Sequence, residues 1–280
     1  MIRIAAQLNT VRAYCGTQEG LFDTLTRLKA MGFDGVELES ALLKNAERGA
    51  LAAHLQAIGL PVASIRSPFA RTGYGLSDHI VQAIARAGKG LDDMIAEAKA
   101  LGCENVGVGT ITASYFSMGL PSMEKYLAAA QDVCARFAAE GLRPLYSLRN
   151  HEFLRQSDKT WIFDKLADRP ETAGYVFETD VLSLTRAAVD PPRIFARLAG
   201  RMPVCRLSDQ RIREHEMYFF FTGREECPLG EGLFDLEAWV QAARQADVEW
   251  LTVGQELCDR DPFACLKLSL GRARALAAET

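Results

Sequence analysis

Eight short apolar runs, each followed by a segment of helical spacing, constrain this chain more than any other feature. The runs are Ile2–Leu8, Val36–Glu39, Pro61–Arg66, Asn105–Gly109, Arg143–Ser147, Tyr175–Asp180, Pro203–Leu207 and Glu249–Val253. Between the first two, Leu21, Leu25, Leu28 and Met31 recur at the helical period, and Gly32 stands where a helix ends. The same pattern predicts helices over 44–58, 88–101, 122–140, 159–167, 191–198, 236–246 and 263–277. Parallel strands need a long crossover, usually a helix, and every gap here holds one. The reading is one α/β domain over residues 1–280, a (β/α)8 barrel. An open doubly wound sheet is the structural alternative. Its dinucleotide-binding form is disfavoured, because no Gly-x-Gly-x-x-Gly follows the first run. The longest irregular stretches, about 67–87 and 208–234, follow the third and seventh strands. In a barrel these lie on the rim that carries the chemistry.

Composition excludes several other classes. With 32 basic and 36 acidic side chains the formal charge is −4, which argues against a nucleic-acid partner. No uninterrupted apolar stretch is long enough to predict a membrane span. The first residues meet Gln7 and lack the apolar core of a signal peptide, so a cytoplasmic location is expected. Seven cysteines without a Cys-x-x-Cys pair fit neither a zinc ribbon nor a disulfide scaffold. They read as small buried residues in a reducing compartment.

Several short segments, in order, resemble the xylose-isomerase-like barrels, the group of sugar isomerases and epimerases that also holds the type-2 AP endonucleases. They are Phe33-Asp34-Gly35-Val36-Glu37-Leu38, Leu101-Gly102-Cys103-Glu104-Asn105-Val106, Glu178-Thr179-Asp180-Val181 and Arg206-Leu207-Ser208-Asp209. Leu229-Gly230-Glu231-Gly232-Leu233-Phe234-Asp235 and Asp261-Pro262-Phe263 with Lys267-Leu268-Ser269 complete the set. The resemblance covers nearly the whole chain. It implies one divalent metal held by Glu, Asp, His and Glu at the ends of strands five to eight. In that chemistry the metal polarises a carbonyl and hydroxyl while carboxylates move a proton between adjacent carbons.

The sequence departs from this pattern at almost every ligand. The strand-five position falls at or near Ser147, strand six keeps Asp180, strand seven has Arg206, and strand eight has Gly254. A family histidine after strand three is replaced by Arg66. Arginine is a fixed cation and does not ligate metals. A like charge 4 Å away costs about 4 kcal/mol at an effective dielectric near 20. The family metal is therefore expected to be lost, leaving no cofactor. The alternative is a displaced manganese or magnesium site built from Asp180, Glu152 and Glu256, with His151 nearby.

The favoured constellation is an anion pocket. Arg66, Arg149 and Arg206 would point to the barrel mouth, where guanidinium groups suit carboxylate or phosphate. Asp180, Arg206, Glu178 and His151 are the catalytic candidates; Arg66, Arg149, Glu152, Gln255 and Glu256 are the binding candidates. The plainer reading is an internal Arg206–Asp180 ion pair standing in for metal and ligand. Glu178 and Asp180 share a face and offer a carboxylate pair, whereas Glu37 and Glu39 read as structural. His54 reads as packing, His79 and His215 as solvated loop residues, and Cys205 as buried in the helix layer. The run Met217-Tyr218-Phe219-Phe220-Phe221 reads as a lid or a homo-oligomer contact, against a short buried strand. Tyr74, Phe69 and Phe116 are candidates to line the rim.

Two functions compete. One is a divergent sugar isomerase/epimerase-like barrel that binds a small anionic carbohydrate-derived ligand and moves a proton without metal. The other is a non-catalytic binding or assembly subunit. A repair endonuclease is a distant third, lacking both metal ligands and a basic groove.

Overall fold

The computed structural model describes residues 2–66, 90–109, 123–156, 158–214, 222–258 and 260–278. Eight parallel strands close a barrel: β1 (Arg3–Gln7), β2 (Gly35–Glu39), β3 (Val62–Arg66), β4 (Asn105–Gly109), β5 (Arg143–Leu148), β6 (Val176–Asp180), β7 (Val204–Leu207) and β10 (Trp250–Val253). They pair in chain order, and β10 returns to β1 with Arg3 opposite Trp250 and Ala6 opposite Val253. The fold is the (β/α)8 barrel expected from the alternating pattern, and each predicted strand lies within a residue or two of its position. His79, Tyr74, Phe69, Phe116, His215 and the aromatic run at 217–221 fall outside the described residues.

Local chemistry explains the helices. Thr17 caps the helix Gln18–Met31 by accepting the Gly20 N–H, and Gly32 ends it. Asp235 caps Leu236–Gln245 through the Ala238 N–H. The buried faces, such as Leu21, Leu25 and Leu28, pack on the outward strand residues in one large core. Six of the seven cysteines are buried and none is in a disulfide. Among the described residues no helix is long and apolar enough to cross a membrane.

Inside the barrel the residues fall into two zones. A small cluster of Ala5, Ala63, Leu145, Val204 and Trp250 plugs the N-terminal end. Trp250 fills so much of it that a Cβ on Gly35 would lie 2.7 Å from the indole ring, so β2 begins with glycine. Further along the same strands, the interior positions turn polar.

One stretch departs from its sequence reading. Residues 208–234 contain an antiparallel hairpin, β8 (Asp209–Glu214) and β9 (Thr222–Cys227). The pattern hid it because Asp-Gln-Arg-Ile-Arg-Glu and Thr-Gly-Arg-Glu-Glu-Cys hardly alternate apolar with polar. Cross-strand charges stitch it instead: Arg211 bonds Glu225, and Arg213 Nη1 meets Glu225 Oε2 at 3.0 Å. Asp209 anchors its base, accepting the N–H groups of Gln210 at 2.8 Å, Gly230 at 2.9 Å and Gly232 at 3.0 Å. The short helix Val181–Arg186 directly after β6 was likewise not foreseen.

Candidate functional site

Strand register brings the polar residues together. Glu37 sits opposite Ser64, Ser147 opposite Glu178, and Asp180 opposite Arg206. The Ser147 hydroxyl donates to Glu178 Oε2 at 2.7 Å. Gln7 Nε2 and the Ser64 hydroxyl donate to Glu37 at 3.2 and 3.3 Å. Arg66 bridges the two acids, 3.8 Å from Glu37 and 4.0 Å from Glu178. The Glu37 and Glu178 carboxyl groups both face Arg66 and act on each other's charge.

These two acids titrate apart. Burial, and then the negative charge of Glu178, push Glu37 up to about 7 against the pull of Arg66 and Arg206. Burial also acts to raise Glu178, but Arg66, Arg149 and the Ser147 hydroxyl outweigh it and hold Glu178 below its ordinary value. The pair thus holds one proton between two carboxyl groups near neutrality. Arg66 itself, despite burial, is driven further up by Glu178 and Glu37 and stays charged.

At Asp180 and Arg206 opens a cavity of about 530 Å³, lined among others by Arg149, Asp180, Ser183, Arg206, Glu226 and Glu256; among the described residues Glu37, Glu178 and Arg66 do not line it. Asp180 is strongly engaged: it accepts the Leu182 N–H and the Ser183 hydroxyl, each at 3.1 Å, and faces Arg149 at 3.5 Å. Burial opposes its charge, but Arg206 and Arg149 outweigh this and lower its pKa. Arg206 is 2 % exposed. Its nearest ion-pair oxygen is Oε1 of the half-exposed Glu256, 3.9 Å away, and its Nε has no hydrogen-bond partner among the described residues. The direct pair at this spot is therefore Arg149–Asp180, and Arg206 is left as an under-partnered buried cation.

The other candidates are placed differently. Glu152 is fully buried in the turn after β5, bonded by the Tyr146 hydroxyl at 2.6 Å and the Arg149 N–H at 2.8 Å, with His151 Nε2 at 3.0 Å. Tyr146 belongs to the outward-facing core, so this set holds the turn that carries Arg149. The Gln255 N–H donates to Thr10 Oγ1 at 2.9 Å, and its buried amide has no partner among the described residues. His54 stacks on Phe22 with centroids 4.4 Å apart, as a packing residue. Cys205 is buried, and burial pushes its thiol up to about 12, so it is inert.

Sequence reasoning missed two acids. Glu37 reads as structural from the sequence, because its strand gives no sign of Glu178 facing it across the barrel. The alternation of Val36-Glu37-Leu38-Glu39 was the only available signal. Glu226 lay in a hairpin that was not foreseen; it accepts the Glu256 N–H at 2.8 Å, and burial raises its pKa.

The residues at the implied ligand positions do not fit a divalent metal. Ser147 is donating to Glu178, Asp180 is occupied by the next helix, and Arg206 is a cation. A side chain at Gly254 has no room, since a Cβ there would lie 2.4 Å from Thr10 Oγ1 and 2.6 Å from Gln7 Cβ. The displaced set fails too, because Glu152 is turned to Tyr146 rather than to Asp180. Among the described residues no group of three or more His, Cys, Asp or Glu side chains is placed to hold a metal ion.

The barrel and its polar mouth define the class: the chain has the fold of the xylose-isomerase-like TIM barrels. L-ribulose 3-epimerase superposes with a TM-score of 0.69 at 17% identity, covering 100% of this chain and 99% of that one. The 3-keto-D-glucoside 4-epimerase of E. coli gives 0.69 at 15% identity over 98% and 100%. A xylose isomerase-like TIM barrel protein from Mycobacterium smegmatis, in complex with magnesium, gives 0.68 at 12% over 99% and 97%. No family model and no curated relative matches the sequence.

Proposed function

We propose that this barrel is a divergent sugar isomerase/epimerase-like protein that binds a small anionic carbohydrate-derived ligand at its C-terminal mouth and transfers a proton without a metal. The observation that carries the reading is Arg206, a buried guanidinium that lines the mouth and whose Nε has no hydrogen-bond partner among the described residues. A desolvated cation of this kind is costly unless a ligand completes its hydrogen bonds. A carboxylate or phosphate does so with charge-assisted, bidentate geometry. Cationic charge that a metal supplies elsewhere would here come from the polypeptide, which stabilises a developing enolate oxygen.

Proton movement falls on the Glu37–Glu178 pair. Glu178 is ionised and can accept a proton; Glu37 holds one near neutral pH and can return it. Asp180 is a poor base, with its charge stabilised by Arg206 and Arg149 and its oxygens occupied, so its part is to hold Arg149 and the next helix. The similarity to structures named as epimerases supports this reaction class by fold only.

Isothermal titration with sugar acids and sugar phosphates tests the reading. Saturable binding that disappears in Arg206→Ala is the expected result. If every anion fails to bind and Arg206→Ala raises stability, the mouth is a self-compensated structural network and the non-catalytic assembly reading takes its place.

A further inference from the structure

We propose that the ligand of this mouth carries two anionic groups taken at two depths, an inner one on Arg206 and an outer one on Arg186 and Arg224. The inference rests on the mouth being an anion site and adds the class of anion.

It comes from the pairing around the cavity. Five arginines line it: Arg149, Arg186, Arg206, Arg213 and Arg224. Arg149 is matched by Asp180 at 3.5 Å, and Arg213 by Glu225 at 3.0 Å. Among the described residues Arg206 has only the long contact to Glu256. Arg186 and Arg224 have no ion pair or hydrogen bond among the described residues, although acidic side chains line the same cavity. The acids are spoken for: Glu225 bonds Arg211 and Arg213, and Glu226 accepts the Glu256 N–H.

The unmatched cations stand at different depths. Arg206 is buried, whereas Arg186 and Arg224 are exposed. Two separate elements deliver the outer pair. Arg186 ends the helix that Asp180 caps, and Arg224 lies on β9, opposite Ile212 of β8. A cavity of about 530 Å³ is roomy for one oxyanion and in the ordinary range for a larger ligand. One molecule bearing both charges gains from the second contact without a second association cost. A sugar acid that is also phosphorylated has this chemistry.

The test is isothermal titration of the full chain with D-gluconate, D-glucose 6-phosphate and 6-phospho-D-gluconate. The probe with two anionic groups should bind at least about tenfold tighter than either probe with one, as charge-assisted contacts imply. Arg186→Ala/Arg224→Ala should bring that ratio back to about one, with the melting temperature of the free protein unchanged. If the probes with one anionic group bind and the third gains nothing, or if the double variant keeps the gain, the two-group assignment is wrong while the mouth remains an anion site. If none of the three binds, the anion site and this assignment fall together.

Discussion

The barrel interior is built twice from the same strands. At the N-terminal end, Ala5, Ala63, Leu145, Val204 and Trp250 form a dry apolar plug. Two residues further along, β1 offers Gln7, β5 Ser147, β6 Glu178, β7 Arg206 and β10 Thr252. The same backbone therefore carries a plug that stabilises and a charged layer that costs desolvation free energy. A chain selected only for stability would continue the plug upward. The charged layer is concentrated at the end where loops can reach a ligand, which is the division of labour expected of this architecture.

The largest test of that contrast is in the plug. Trp250→Ala should lose about 3–5 kcal/mol, because a large buried side chain is removed and its neighbours cannot collapse fully. Chemical denaturation measures it. A loss below about 1 kcal/mol would mean that the plug is not what holds the barrel shut.

The second test is pH. Glu37 has a folded-state pKa of about 7, above its ordinary 4.5. Its contribution to stability is complete below the ordinary value and is lost as pH rises through about 7. Glu178 and Asp180 run the other way, being lowered, so their contribution is lost only as pH falls into the acid range. Glu37→Gln, which stays neutral, should therefore gain on the order of 3 kcal/mol relative to wild type between pH 4.5 and pH 8. Thermal melts across that range read it, and a difference that stays flat with pH breaks the shared-proton assignment.

The third test separates ligand binding from folding. Arg206→Met keeps the bulk and removes the charge. Anion affinity should fall roughly 10- to 100-fold, the worth of a charge-assisted hydrogen bond, while stability changes by less than about 1 kcal/mol. Titration and denaturation on one preparation give both numbers. A large stability loss with unchanged binding would move Arg206 from the site to the scaffold.

The smallest effect is expected on the hairpin. Glu225→Ala removes cross-strand bonds to Arg211 and Arg213 at the surface, where solvent screens them. The melting temperature should fall far less than in Trp250→Ala; an equal fall would mean that the hairpin carries as much stability as the plug.

The barrel was legible because its signal is local and repeated. Strand runs such as Tyr175–Asp180 and helices such as 236–246 announce themselves by period and by end residues such as Gly32 and Asp235. The hairpin was not legible, since charge pairs such as Arg211–Glu225 replace apolar alternation. The site was legible in part. Arg66, Arg149, Arg206, Glu178 and Asp180 converge, because each lies at or past the middle of its strand, or just after it, toward the same rim. His151 and Glu152 do not join them; one turn of chain directs Glu152 toward Tyr146.

Sequence alone determined the number of barrel strands, the end of the barrel that carries charge, and the placing of arginine and glycine at two implied ligand positions. Only the tertiary structure decided which charges meet. Glu37 finds Glu178 from β6, Arg149 rather than Arg206 takes Asp180, and Arg206 Nε has no hydrogen-bond partner among the described residues. Period and composition act over a few residues, whereas these pairings depend on strand register around a closed sheet. A strand's own pattern says which of its faces turns inward, but which residues meet across the barrel also depends on how all eight strands close.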